Sequence, residues 1–571
     1  MKEKMMTEGK YDYIIIGAGS AGSVLANRLT ENPATTVLVL ENGGNDNSIM
    51  VRMPTALQYP MKTKRFNWGY LTEPEPRLNN RRMDLSRGKA IGGSSSINGM
   101  IYVRGNAGDY EKWEELGAKG WGYRDCLPYF KKSETCAYGE DMYRGGNGPI
   151  HTSNGNGMIN PLYTAFIRAG AEAGYGISED YNGYRQEGMC RMDMTVKNGV
   201  RCSTALAYLK PAMKRPNLTV LTHALVKRVL LEGKRAVGVE YIRNGKTEKV
   251  LAGREVILSA GSIGSPHILQ LSGIGPVGVL KKAGIELRHE LPGVGENFQD
   301  HLESVIQYEI KDPAISYNRK LGLISKFFIG ARWVLFKSGL GATNHFESTG
   351  FIRTHAGRKY PNVQFHFLPM TIRYDATGGA EIPGYQIHFG VNNPYSRGWV
   401  RAKTPNPQDY PELQVNYMSD PRDVEEYRTA FKLTREIGMQ PAFDPYRKRE
   451  VDPGDGVQTD DEIDAWVRQH VEVAYHPTCS CKMGADDDPM AVVDTDCRVR
   501  GLEGLRVVDS SIFPTVPNGN TNGPTIMLAE KAADIIRGLP PLPASNAPYW
   551  LDPKWETRQR ERNPVRKAAQ E

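Results

Sequence analysis

Residues 11–29 read YDYIIIGAGSAGSVLANRL, and no other stretch restricts the fold as tightly. Tyr13-Ile14-Ile15-Ile16 is a short apolar run of the kind buried on both faces of a parallel sheet. It passes directly into Gly17, Gly19 and Gly22 at GxGxxG spacing, after which Val24, Leu25 and Leu29 fall at helical intervals. Gly17 allows a tight turn, Gly19 lets a pyrophosphate approach, and Gly22 lets helix and strand pack closely. The helix start at Ser20 and Ala21 then offers free N–H groups and a partial positive charge to that pyrophosphate. A second apolar strand, Val37–Leu40, ends at Glu41, nineteen residues after Gly22. An acid there accepts both ribose hydroxyls and repels a 2′-phosphate. The stretch predicts a Rossmann-like dinucleotide unit and leaves NAD and FAD open.

A chain of 571 residues exceeds one simple core, and units of ~100–200 residues predict two to four of them. With 40% apolar and 24% charged residues, the composition is that of a soluble globular protein. The net charge of +7 is small for the length, and the basic residues are scattered among nearly as many acids, which argues against nucleic acid. The opening MKEKMMTEGK has no apolar h-region, and no apolar run approaches the ~20 residues that span a bilayer. Seven cysteines form no CxxC pair, and Cys479-Ser-Cys481 has the wrong spacing for a zinc ribbon. Unpaired thiols in a reducing cytoplasm, not a secreted protein, and no metal site are the expectation.

GKAIGGSSSING (88–99) crowds four glycines and three serines into twelve positions, yet keeps Ile91 and Ile97. Glycine is the default where a ligand presses against main chain, so Gly92 and Gly93 mark either such a close approach or a flexible linker, and the rest of the chain must decide. Near the C-terminus, Leu505–Val508 is another short strand ending at an acid, Asp509. Asn522 or Gly523 is positioned to cap a following helix with Pro524 in its first turn. Ile526, Ala529, Ala533 and Ile536 mark that helix's buried face.

GKAIGGSSSINGMIY (88–102) and GSIGSPHILQLSGIG (261–275) resemble the two signatures of the glucose–methanol–choline (GMC) flavoenzyme family. LPGVGENFQDH (291–301) and GLRVVDSSIFPTVPNGNTNGPTIMLAEKAADIIRG (504–538) extend the resemblance to about residue 540. It implies FAD, laid against the small-residue loop, with Val226, Ala260, Asp509 and Asn522 as further cofactor positions. Some relatives carry a covalent flavin-linking histidine where this chain has Ile97, so the FAD is expected to be non-covalent. Asn98 is expected to hydrogen-bond flavin or substrate. The usual EAGG is here Glu41-Asn42-Gly43-Gly44, and the usual HPxGTCxMG is HPTCSCKMG (476–484), which leaves room for a shifted substrate.

Oxidising an alcohol carbon removes a hydroxyl proton and a hydride, and a positioned base is worth ~10²–10⁴-fold. The resemblance places that base at His476 and its hydrogen-bonding partner at Asn520. FNWGYLTEPEPRLNNRRM (66–83), GLGATNHFESTGFIR (339–353), NVQFHFLPM (362–370) and SNAPYW (545–550) resemble the choline-oxidising members. A quaternary ammonium is held by a carboxylate and aromatic faces; Glu303 matches the position at which the choline-oxidising members place that carboxylate, and Trp68 and Tyr475 are candidate cage aromatics. His366 is expected to help hold the substrate hydroxyl. Uncharged aliphatic or polyether alcohols are the alternative substrates, and a non-redox hydroxynitrile lyase is an alternative of a different class. The resemblance further implies oxygen or a quinone-type respiratory acceptor, a peripheral membrane contact and a homo-oligomer.

The expected fold is α/β with two domains (α+β overall). The FAD-binding domain is discontinuous, over 9–160, 205–300 and 490–540. A substrate domain, 161–204 and 301–489, is built on an antiparallel sheet with flanking helices, including a strand at Val305–Tyr308 and a helix at Asp423–Gly438. The C-terminal tail is 541–571, and its charged stretch, 552–571, is expected to be disordered or loosely docked.

Overall fold

The structure, a computed structural model, describes residues 10–373, 378–379 and 382–567. The opening nine residues and the last four of the tail lie outside the described residues.

In chain order the elements that position the site are β1 (Lys10–Ile16), α1 (Ser20–Leu29), β2 (Val37–Leu40), α2 (Pro161–Glu172), β3 (Gly188–Arg191) and β4 (Leu218–Leu221). There follow β5 (Ala224–Glu232), β6 (Arg235–Arg243), β7 (Lys246–Leu258), α3 (Gly261–Leu271), β8 (Leu302–Ile310) and α4 (Leu323–Phe336). The remainder are β9 (Ser348–Ile352), β10 (Val363–Leu368), β11 (Gly384–Val391), α5 (Pro421–Gly438), β12 (Arg447–Asp452), β13 (Leu505–Val507) and α6 (Asn522–Ile536).

The first sheet runs β4-β2-β1-β7-β6-β5, with β13 also paired to β7. Its β4, β2, β1, β7 and β13 are parallel, and the β5–β6–β7 meander is antiparallel. Tyr13–Ile16 and all of β2 are buried, as a strand covered on both faces requires. An early and a late strand therefore meet on one strand: β1 on one side of β7 and β13 on the other. Helix α6 packs on α1, where Glu530 takes a bidentate pair from Arg28 at 2.7 and 2.8 Å.

The second sheet, β12-β8-β11-β10-β9-β3, is antiparallel throughout. Helices α2 and α5 bury Phe166, Tyr427 and Phe431 into the core that includes Phe365, Tyr385 and Phe389. Tyr70, Leu78, Met83 and Leu85 belong to this second core as well. The expected strand and helix within 301–489 are both present, as β8 and α5.

Two expectations are corrected. The N-cap of α6 is Thr521, without a side-chain cap, because the Asn522 Oδ1 already accepts from Ser20 Oγ at 2.7 Å. The tail is not loose over the residues described. Asp552 pairs with Arg353, which is fully buried, at 2.7 Å; Arg566 meets Asp444 at 2.7 Å, and Arg560 meets Glu436. Its charges read as solvent-facing in the sequence, but they neutralise partners that the globule supplies.

Helix α4 stands apart. Leu323, Ile324, Phe327, Phe328, Leu335 and Phe336 are 66–86% exposed, and only Trp333 is buried. No helix among the described residues is long and apolar enough to cross a membrane.

Candidate active site

The glycines of the first βα turn are demanded by contact. A Cβ on Gly22 would come within 1.9 Å of the Gly17 carbonyl oxygen. Gly17, at φ +100°, is pressed against Ser259, whose oxygen a Cβ would meet at 2.5 Å. The small-residue loop lies against the same turn: a Cβ on Gly93 would meet Gly19 Cα at 2.7 Å. Gly92, in the left-handed region at φ +84°, donates its N–H to the Ala18 carbonyl at 2.7 Å. Two backbones thus touch where side chains would part them.

A cavity of about 370 Å³ opens along this contact. It is lined by Gly17, Gly19, Ser20, Ala21, Glu41, Gly93, Asn98, Val226, Ala260, Asp509 and Asn522. The same cavity reaches Trp68, Glu303, His366, Tyr475, His476 and Asn520. Gly22 and Gly92 stand behind its wall.

The nucleotide end fits its expected occupant. Glu41 is buried, with Oε2 accepting from Ala18 N–H at 2.9 Å and Oε1 from Gly43 N–H at 2.7 Å. Each oxygen keeps a lone pair for a ribose hydroxyl. Burial pushes its pKa up, against the pull of those two N–H groups and of Lys89. At α1 the N-cap Gly19 provides no side chain, which leaves the first N–H groups for a phosphate. Asp509 serves a different purpose: it accepts from Gly261 N–H, Ser265 Oγ and Ser511 N–H at 2.5–2.9 Å, tying the start of α3 to the loop after β13.

At the other end, Asn520 Nδ2 lies 2.9 Å from His476 Nε2, and Gln364 Nε2 donates to Asn520 Oδ1 at 3.2 Å. With the Asn520 amide N–H facing it, His476 Nε2 accepts. The ring proton then sits on Nδ1 and is donated to His301 Nδ1, 3.1 Å away. Asp300 Oδ1 accepts from the backbone N–H of both histidines, at 2.8 and 2.6 Å, so the pair is held as a unit. Burial pushes the His476 pKa well below the usual histidine value, helped by His301, His366 and Arg87. The result is a neutral imidazole with its lone pair on the cavity side.

Glu303 faces two imidazoles, His388 Nδ1 at 3.5 Å and His366 Nδ1 at 3.6 Å. Burial pushes its carboxyl up, but His388 and His366 outweigh burial and hold it well below the usual carboxylate range. Glu303 is also a wall of a second cavity, about 530 Å³, shared with Glu472, Asp452 and Trp466.

Trp68 lines the same cavity as Glu303, but its ring has other partners. It stacks on Tyr70 at 5.5 Å and carries the Lys89 ammonium over its face at 5.0 Å, and Lys89 acts on Glu41. Its face is already taken by a cation at the nucleotide end. Tyr475 is held at φ +64°, its carbonyl accepting from Arg87 Nη2 at 2.6 Å. The aromatic beside the imidazoles is Phe346, 6.0 Å from His366 and 5.7 Å from His388. Phe346, His301, His388 and Gln364 were not singled out in the sequence, although His301 closes the quoted LPGVGENFQDH and Phe346 lies in GLGATNHFESTG. Among the described residues no group of His, Cys, Asp and Glu could hold a metal ion, and all seven cysteines are buried and unpaired.

The sequence matches the N-terminal GMC oxidoreductase family over residues 11–303 and its C-terminal counterpart over 394–529. It is 56% identical over 551 residues to an oxygen-dependent choline dehydrogenase of Photobacterium profundum, covering 96% of this chain and 97% of that protein. It is 57% identical over 557 residues to one of Vibrio vulnificus, covering 97% and 99%. Among solved structures, pyridoxine 4-oxidase from Mesorbium loti superposes with a TM-score of 0.84 at 31% identity, covering 92% of this chain and 99% of that one. An FAD-dependent oxidoreductase from Chaetomium thermophilum gives 0.83 at 28%, with the same coverage. The chain belongs to the GMC oxidoreductase family.

Proposed function

We propose that this chain is an FAD-dependent dehydrogenase that oxidises choline to betaine aldehyde, and the hydrated aldehyde onward to glycine betaine. Gly17, Gly19, Glu41 and Gly93 would hold the FAD, non-covalently, since Ile97 offers no atom for a bond to the flavin. When bound, FAD supplies the hydride acceptor. The chain's own residues move the proton. The substrate hydroxyl takes over the hydrogen bond of Asn520 Nδ2 and donates to the His476 Nε2 lone pair thereby freed, and the proton is transferred to Nε2. His301, through Nδ1, keeps the other nitrogen engaged throughout. The burial that keeps His476 neutral leaves Nε2 unprotonated and available to the substrate, at the cost of lower basicity.

The observation that carries choline over an uncharged alcohol is Glu303, an ionised carboxylate in the same cavity as His476 and Asn520. His366 and His388 stand against one side of that carboxylate, and a cation bound in the cavity would add to what offsets its desolvation. The relatives' names support the same substrate. Anaerobic mixing of FAD-loaded protein with choline, following flavin absorbance, tests this against 1-butanol. Bleaching by choline and not by butanol is expected. Bleaching by butanol with choline inert would overturn the choline reading in favour of a general alcohol dehydrogenase.

For the electron sink, oxygen follows the relatives' printed name, and a quinone-type carrier is the alternative. The second requires contact with the inner face of the membrane, and α4 supports it. Residues 313–346 contain Arg319, Lys320, Lys326, Arg332 and Lys337 and no acid. With its exposed leucines and phenylalanines, α4 fits an in-plane helix on an anionic bilayer. Fourteen residues, about 21 Å, are too few to span one.

A further inference from the structure

Arg201 lies behind the small-residue loop and is 1% exposed. Its Nε donates to the Val51 carbonyl at 2.7 Å. Its Nη1 donates to the Asn98 carbonyl at 2.7 Å, to Asn98 Oδ1 at 2.8 Å and to the Ser95 carbonyl at 3.3 Å. Nη2 is buried without a partner, and Arg201 forms no ion pair among the described residues. Burial alone acts on the guanidinium, lowering its pKa to about 9, so the group remains charged at neutral pH. A buried charge without a counter-ion is costly and needs a reason.

Asn98 supplies one. Its Oδ1 accepts from both Arg201 Nη1 and the Met100 N–H, the latter at 3.1 Å. Neither group can accept, so the amide cannot be turned the other way. Asn98 lines the cavity, and Nδ2 is the end left free to face it.

We propose that Arg201 is a positioning residue for the flavin: it locks Asn98 with its amide N–H groups presented to the cofactor, and lends an uncompensated positive charge to the negative charge gained on reduction. This rests on the FAD reading above. Arg201 is not among the residues lining the cavity, so it acts through Asn98, the loop carbonyls and the field of its charge.

The test is the two-electron midpoint potential of the holoenzyme, measured anaerobically against a reference dye, with FAD affinity from flavin fluorescence. Arg201→Met should weaken binding of reduced relative to oxidised FAD at least tenfold, which lowers the potential by about 30 mV for a two-electron couple. Arg201→Lys, which keeps the charge but not the fork, should fall between. Asn98→Ala should lower the potential as well, and its effect should not add to that of Arg201→Met in the double variant. An Arg201→Met holoenzyme of unchanged potential and merely lower thermal stability would reduce Arg201 to a structural prop. Strict additivity with Asn98→Ala would overturn the route through the amide. If Arg201→Met does not fold, Arg201→Lys and Asn98→Ala each still carry the test, since an unchanged potential in both refutes it. A wild-type chain that binds no FAD would instead sink the cofactor reading, a failure distinct from these.

Discussion

A histidine becomes a base only when its surroundings decide where its protons sit. Here Asn520 takes Nε2 and His301 takes the Nδ1 proton, while burial keeps the ring neutral. The folded pKa is depressed below 6.5, so the basic form is present above that depressed value and is lost only as pH falls through it. The pH profile of kcat/KM should therefore show no acid limb near pH 6.5; a limb there would exclude buried His476 as the base. Glu303→Gln should raise KM for choline about 30-fold or more, since losing one side of a buried charge contact costs ~2–5 kcal/mol. Steady-state kinetics with choline reads the change, and 1-butanol should stay inert with the variant as with the wild type. His476, Asn520 and Glu303 were legible because each sits inside a recognisable motif. His388 was not: it reaches Glu303 because β10 and β11 align His366 with His388 across the sheet, and register is written in no local stretch. The cation over Trp68 was hidden for a related reason, since only the folded chain brings Lys89 over its ring.

The small-residue loop and α4 make opposite points about elements. The loop's glycines are explained by backbone contacts, so Gly93→Ala, at φ +51° and 2.7 Å from Gly19 Cα, should cost at least tenfold in FAD affinity, read by equilibrium dialysis. Its conformation was legible because glycine and serine announce where side chains are excluded. The apolar residues of α4 were not informative in the same way, since the sequence LISKFFIGARWVLF suits a core helix equally well. The fold leaves it uncovered. Full-length protein should co-sediment with vesicles containing phosphatidylglycerol and much less with pure phosphatidylcholine, and Phe327→Ser/Phe328→Ser should abolish this. If that variant instead splits a dimer and the wild type ignores vesicles, α4 is a contact between copies.

At the scale of the whole molecule, the parallel half of one sheet and the antiparallel sheet beside it were both anticipated, because period and motif order carry that information. The tail was not. Its bases and acids look solvated until Arg353, fully buried, is found to rely on Asp552. Deleting residues 541–571 should destabilise the protein by about 3 kcal/mol, as loss of one partner of a buried pair does, with urea denaturation as the measure.

The pairing of β1 and β13 on the two sides of β7, with α6 laid over α1, also sets a schedule for synthesis. Domains fold largely in the order they leave the ribosome. In this chain, however, β7, which already lies beside β1, gains its neighbour β13 only near the end of synthesis. A nascent polypeptide interrupted before Leu505 has its glycine turn and its small-residue loop but neither Asn520 nor the helix that begins at Asn522. Prematurely terminated products would therefore be poor competitors for the cell's flavin, and the cofactor would go to chains whose translation is complete.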